Sequence, residues 1–166
     1  MIALIEPRAA RGDVDAQAML GQMYAKGQGV PANLGNASSW LRKAADQGSK
    51  DAEYMLGVFA TGGVAGSRDP VAAAGWFRKA GHQRYAAAAF NLALMYARGD
   101  GVERSSGMAL NWIDAAIQYL PRSTDADRRS KFEAARSSIL AEMTPEEVAV
   151  AGKGTLRGAG GDWEIG

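Results

Sequence analysis

Few residues of this chain could do chemistry. His82 is its single histidine, and general base catalysis or metal binding by an imidazole needs partners that the sequence does not place beside it. A hydrolytic site made of Glu53, Asp100 and His82 can be imagined, but nothing in the spacing of these residues requires one. We therefore expect no catalytic residue, no metal site and no cofactor, and we interpret His82 as a surface or cap residue.

Two glycine-rich segments and one pair of carboxylates also have simple structural explanations. Residues 27–29 and 99–101 superficially resemble phosphate-binding loops, but no Gly-Lys-Ser/Thr sequence follows either of them. The adjacent Glu146 and Glu147 follow Thr144 in the pattern of a helix start, where the helix dipole favours acidic residues. We interpret these segments as turns and a helix N-terminus.

Composition disfavours several classes of protein. The 166 residues include nineteen Lys and Arg against eighteen Asp and Glu, so no strong field attracts nucleic acid or an anionic membrane. The chain has no Cys, which removes disulfides and thiolate chemistry. No apolar run approaches the ~20 residues of a membrane span, and the first residues do not resemble a signal peptide. We expect a soluble, cytoplasmic protein, or a periplasmic one if a signal peptide was removed.

A period of 36 residues organises the chain. Leucines, tryptophans and glycines recur at this interval in three copies: Leu20, Leu56 and Leu92; Trp40, Trp76 and Trp112; and Gly27, Gly63 and Gly99. Abundant Ala favours helices, and a glycine inside each copy is typical of a left-handed helix end. A period of this length indicates a solenoid, in which each unit of two helices buries its apolar face against its neighbours.

The period predicts the helix pairs. We place unit one at 13–48, unit two at 49–84 and unit three at 85–120. The first helices are expected at about 14–26, 50–61 and 86–98, and the second helices at about 35–47, 70–82 and 105–119.

Both ends of the chain are expected to differ from these units. Residues 1–12 match the last part of a unit, so they form either an N-terminal cap or a half repeat of a longer array. Helices at about 125–143 and 145–151, within 121–152, are expected to cap the other end, and Gly152 to stop the second of them. By composition, 153–166 is a flexible Gly-rich tail in which Trp163 could anchor on the solenoid or on a partner.

The repeated residues resemble a known family, the Sel1-like repeats, which are related to the tetratricopeptide repeats. Residues 20–30, Leu-Gly-Gln-Met-Tyr-Ala-Lys-Gly-Gln-Gly-Val, followed by Ala37 and Trp40, look like a full copy of the family pattern, and residues 92–102 repeat it. Unit two departs from the pattern at Ala60 and again at residues 65–66, which leaves the shape of its loop open. The resemblance covers about 13–120. It implies an all-α, right-handed α-solenoid that acts as an adaptor or scaffold.

One face of the first helices carries large apolar residues that the core does not explain. Positions 18, 22 and 25 lie opposite the apolar stripe of unit one, and units two and three place Tyr54, Val58, Phe90 and Leu94 at equivalent positions. In solenoids of this kind the first helices line the concave surface, so these residues could grip a peptide or a helix. The alternative is that they fill gaps between successive first helices or pack under the C-terminal helix.

Three functions are compatible with the sequence. The favoured one is a non-catalytic adaptor or scaffold, monomeric, that binds a protein in its concave groove and binds neither nucleic acid nor membrane. The alternative is a dedicated inhibitor or immunity-type protein that neutralises a single toxin or enzyme. A hydrolase is the least favoured, because no motif for the chemistry is found.

Overall fold

The computed structural model describes residues 2–62 and 68–153, and this part of the chain is helical throughout apart from its turns. The prediction of an all-α fold is confirmed, and the predicted helix bounds agree within two residues. Gly152, expected to stop the last helix, lies inside it instead. The helices are α1 (Ile2–Ala10), α2 (Val14–Lys26), α3 (Leu34–Asp46), α4 (Lys50–Gly62), α5 (Pro70–His82), α6 (Ala86–Arg98), α7 (Ser106–Tyr119), α8 (Ala126–Ala141) and α9 (Pro145–Lys153).

Each second helix begins at a capping residue that also recurs every 36 residues. Asn33, Asp69 and Ser105 each accept a hydrogen bond on the side chain from the backbone N–H three residues ahead, at 2.9, 2.9 and 3.2 Å. Their own N–H groups donate to the carbonyl oxygen nine residues earlier, at 2.9 Å in all three units. The same hydrogen bond therefore joins the two ends of the loop in unit two as in units one and three. Residues 63–67 of this loop, with Gly63, lie outside the described residues.

The two helices of a unit approach each other closely where the first helix carries a small residue. A Cβ added to Gly21 would lie 2.7 Å from Leu41 Cγ, and one added to Gly57 would lie 2.6 Å from Phe77 Cε1. Leu41 and Phe77 are buried, so the glycines make room for large core side chains. Unit three has Ala93 at this position.

The row of first helices forms the inner side of the solenoid. The first helices α2, α4 and α6 contact one another in sequence, and α8 continues this row by packing on both α6 and α7. The second helices α3, α5 and α7 pack mainly on first helices and scarcely contact each other. Because the first helices are closer together than the second helices, the array curves towards them.

The tryptophans join each second helix to the preceding unit. Trp40 packs against the cluster that contains Ile5 and Ala9 of α1, and Trp112 lies over Gly81 of α5, where an added Cβ would be 2.8 Å from the indole ring. The N-terminal helix α1 thus takes the place of a second helix beneath unit one.

Candidate partner-binding face

The inner side of α2 exposes one continuous stripe of side chains. Asp15, Met19 and Lys26 are exposed and Gln22 is half-buried, whereas Leu20 is fully buried. At about 100° per residue these four positions fall within about 60° of one another on the helix, opposite the side that packs on α3.

The equivalent positions of α4 and α6 extend this stripe across three helices. We call the whole set the inner face. It consists of Asp15, Met19, Gln22 and Lys26 in α2; Asp51, Met55, Val58 and Gly62 in α4; and Ala87, Asn91, Leu94 and Arg98 in α6.

Apolar groups occupy the middle of the inner face. Met19 is 50% exposed and Val58 is 40% exposed, and both are among the most exposed large apolar residues of the described chain. Met55 and Leu94 are half-buried and pack against core residues. Methionine is unbranched and polarizable, so it adapts its shape to different apolar partners.

Two of the predicted binding residues pack between units instead. Phe90 is only 8% exposed, and its ring stacks on that of Phe132 in α8 with the centroids 4.3 Å apart. Tyr54 is half-buried and stacks on Tyr85, which precedes α6, at 4.9 Å. Both therefore face the next helix of the inner row. This packing agrees with the alternative that the sequence also allows, in which Tyr54 and Phe90 fill gaps between successive first helices or pack under the C-terminal helix.

The other predicted binding residues have different positions. Val58 and Leu94 lie on the inner face, Val58 exposed and Leu94 half-buried against the core. Trp163 lies outside the described residues. The sequence analysis did not predict four residues of the inner face: Met19, Met55, Asp15 and Asp51. The two methionines are 36 residues apart, and so are the two aspartates, which was a signal for both pairs.

Charged residues border the inner face on two sides. Asp15 and Asp51 lie in the first turns of α2 and α4, while Lys26 and Arg98 lie in the last turns of α2 and α6. These placements also suit the helix dipole. Burial and the nearby Asp51 carboxylate raise the pKa of Tyr85 to about 12, so the Tyr85 hydroxyl stays neutral at physiological pH.

The residues of the imagined hydrolytic site each have a structural partner. Glu53 is buried and accepts a hydrogen bond from Gln83 Nε2 at 2.8 Å, and Asp100 forms an ion pair with Arg68. His82 ends α5 and packs its ring edge-on against Trp112 at 5.3 Å. Burial and the nearby Arg78 lower the pKa of His82.

The described residues include neither a metal-binding cluster nor a helix that could span a membrane. No three His, Asp or Glu side chains within residues 2–62 and 68–153 lie where they could hold a metal ion together. Each helix in the same two ranges is too short or too polar to cross a membrane.

Known proteins share the repeat of this chain. A family model described as "Sel1 repeat" matches residues 14–49, 50–85 and 86–118. The crystal structure of a Sel1 repeat protein from Oxalobacter formigenes is similar over 78% of this chain and 95% of that chain, with 26% sequence identity and a TM-score of 0.67.

A second solved structure aligns with nearly the whole of this chain. The structure is c5321, described as a protective antigen present in uropathogenic Escherichia coli strains displaying an SLR fold; it has 24% identity and a TM-score of 0.46 over 99% of this chain and 45% of that chain. The search of curated proteins found no significant match. Because the family model covers three successive units, the chain belongs to the Sel1 repeat family, whose members are generally protein–protein interaction modules.

Proposed function

We propose that this protein is a non-catalytic adaptor that holds a protein partner against the inner face of its solenoid. The observation that carries this proposal is the exposure of Met19 and Val58 on adjacent first helices, with Met55 half-buried beside them. Exposed apolar groups that are contiguous on a soluble protein are typical of interaction sites.

The inner face is a better candidate than the other exposed apolar residues. Leu4, Leu34, Val71, Val148 and Val150 are also exposed, but they are spread over four helices, and the two on α9 are two residues apart and so do not share a face. Scattered surface residues of this kind are normal and need no functional explanation. On the inner face, in contrast, equivalent positions of successive units place apolar groups side by side, which gives a partner a continuous surface.

The surroundings of the titratable residues support a role without catalysis. Glu53 is held by Gln83, Asp100 is paired with Arg68, and His82 packs on Trp112. A base that is oriented for catalysis commonly forms a hydrogen bond with a second catalytic group, but no hydrogen bond among the described residues joins any two of Glu53, Asp100 and His82.

The proposal is tested by affinity capture from a lysate of the source organism, with M19D/V58D as the variant. Both substituted positions are exposed, so the thermal melt should stay close to that of the original chain. The control is V71D, which places one of the same aspartate substitutions on α5 at a residue that is 68% exposed. We expect one enriched protein that is lost with M19D/V58D and kept with V71D. Equal capture by all three chains would contradict the proposal.

A further inference from the structure

We infer that the segment held on the inner face is an amphipathic helix with an apolar stripe, one border of which is basic and the other acidic. This inference rests on the proposed function and specifies the chemistry of the partner. It follows from the order of residue types across the inner face, which is acidic, apolar and basic from one edge to the other.

The acidic edge lies at the beginnings of the first helices. Asp15 and Asp51 are both exposed and hold equivalent positions in α2 and α4. Among residues 2–62 and 68–153, the four ion pairs formed do not include either of these carboxylates, and Asp51 has the neutral Tyr85 hydroxyl beside it. Unit three has Ala87 at this position, so the acidic edge spans α2 and α4.

The basic edge lies at the ends of the first helices. Lys26 and Arg98 are exposed, and the ion pairs within the described residues do not involve them either. Met19, Val58 and Leu94 lie between the two edges. A partner that lies along the array therefore meets carboxylates on one side, apolar groups in the middle and cations on the other side.

The distance between the edges suits a helix. Asp15 and Lys26 are eleven residues apart in one helix, which separates the two edges by about 16 Å. A helix with its side chains is about 10–12 Å wide, so its bordering Lys and Glu side chains can reach outwards to both edges. Crossing from α2 to α6 takes roughly 20 Å, or about 13 residues of a helix.

The test uses three synthetic helical peptides of about 15 residues that share one leucine stripe. The first has a Lys border and a Glu border, the second has Lys on both borders, and the third has Glu on both borders. Binding to the full chain is followed by fluorescence anisotropy at low and physiological ionic strength. We expect the mixed-border peptide to bind about tenfold more tightly than the other two, and this preference to weaken with salt.

Changing the acidic edge should change which peptide is preferred. With D15K/D51K both edges are basic, so the preference should move to the peptide with two Glu borders. With D15N/D51N, which leaves the helix starts less perturbed, the mixed-border peptide should lose its advantage over that peptide. An unchanged order of affinities in these variants, or no binding of any peptide, would overturn the inference.

The peptide test and the capture test fail independently. If M19D/V58D abolishes capture of a natural partner but the three peptides bind alike, the proposed function stands and the charge pattern of the partner is wrong. If the mixed-border peptide is preferred and the preference follows the charge of residues 15 and 51, the chemistry of the partner is supported.

Discussion

Gln83 Nε2 donates a hydrogen bond to the buried Glu53 Oε2 at 2.8 Å, at the positions where unit one joins Gln47 Nε2 to Gln17 Oε1 at the same distance. Gln17 also donates from its Nε2 to the carbonyl oxygen of Ala9 in the preceding helix, at 3.1 Å. A carboxylate has no hydrogen to donate in this way. Unit two therefore buries an ionisable carboxyl group where unit one buries a neutral amide.

Replacing Glu53 by Gln should stabilise the protein at neutral pH. Burial raises the pKa of Glu53 above its ordinary value of 4.5, although the hydrogen bond from Gln83 and the charge of Lys79 oppose this effect. The neutral amide avoids the cost of burying a charge, and E53Q should gain about 1 kcal/mol in the free energy of unfolding. Urea denaturation at pH 7 measures this gain.

The same substitution has a defined pH dependence. A raised pKa in the folded state means that ionised Glu53 lowers stability above that pKa and has no such effect once it is protonated. The advantage of E53Q over the original chain should thus be largest above the raised pKa of Glu53 and shrink as the pH falls through it. An advantage that stays constant down to acidic pH would show that charge burial is not its cause.

Arg84 has a left-handed backbone at a position that is glycine in the two preceding turns. Its φ is 62°, against 93° for Gly12 and 84° for Gly48. A left-handed conformation costs a residue with a Cβ about 1 kcal/mol, while the contact of the Arg84 guanidinium with the Tyr119 ring at 5.2 Å offsets about half of this. We expect R84G to gain about 0.5 kcal/mol.

The matched variant for this position is G48A. An added Cβ on Gly48 meets no atom within 4 Å, so only the backbone conformation is perturbed. G48A should lose about 1 kcal/mol of unfolding free energy in the same urea experiment. An unchanged free energy of unfolding in G48A would mean that a side chain does not strain the left-handed turn between units.

The contact between Gly57 and Phe77 predicts a large effect of a single methyl group. Because a Cβ at residue 57 would lie 2.6 Å from the Phe77 ring, G57A should destabilise the chain by about 2 kcal/mol. G57A/F77I copies the pair Ala93 and Ile113 of unit three and should recover part of the loss.

Gly75 provides the control for this substitution. It lies inside α5 and an added Cβ there contacts nothing within 4 Å, so G75A should stabilise the helix by up to about 1 kcal/mol. Thermal unfolding of the three variants compares them directly. Destabilisation by G75A as large as that by G57A would contradict the role of close helix packing.

The helix bounds could be predicted from the sequence because the 36-residue period repeats the glycine after each first helix and the apolar residues within the helices. The capping residues Asn33, Asp69 and Ser105 carry that period too, but they differ in type and so escape a search for identical residues. Gly152 was misread because a glycine near a helix end is only a frequent stop, and the helix continues to Lys153.

The candidate partner-binding face was predicted only in part. Of the expected positions 18, 22 and 25, only position 22 belongs to the inner face. The same is true of its equivalents in the other units, positions 58 and 94. Position 18 and its equivalents Tyr54 and Phe90 pack towards the next unit. A sequence period gives the spacing of units but not the side on which the next first helix stacks, so the exposed stripe could not be told from the stripe between units.

The most direct test of the inner face is site-specific photocrosslinking in cells of the source organism. A photoreactive phenylalanine analogue is placed at Val58 on the inner face or at Val71 on α5, which are both exposed. We predict a discrete crosslinked partner from position 58 and none from position 71. A partner crosslinked from position 71 but not from position 58 would contradict the claim that the inner face holds it.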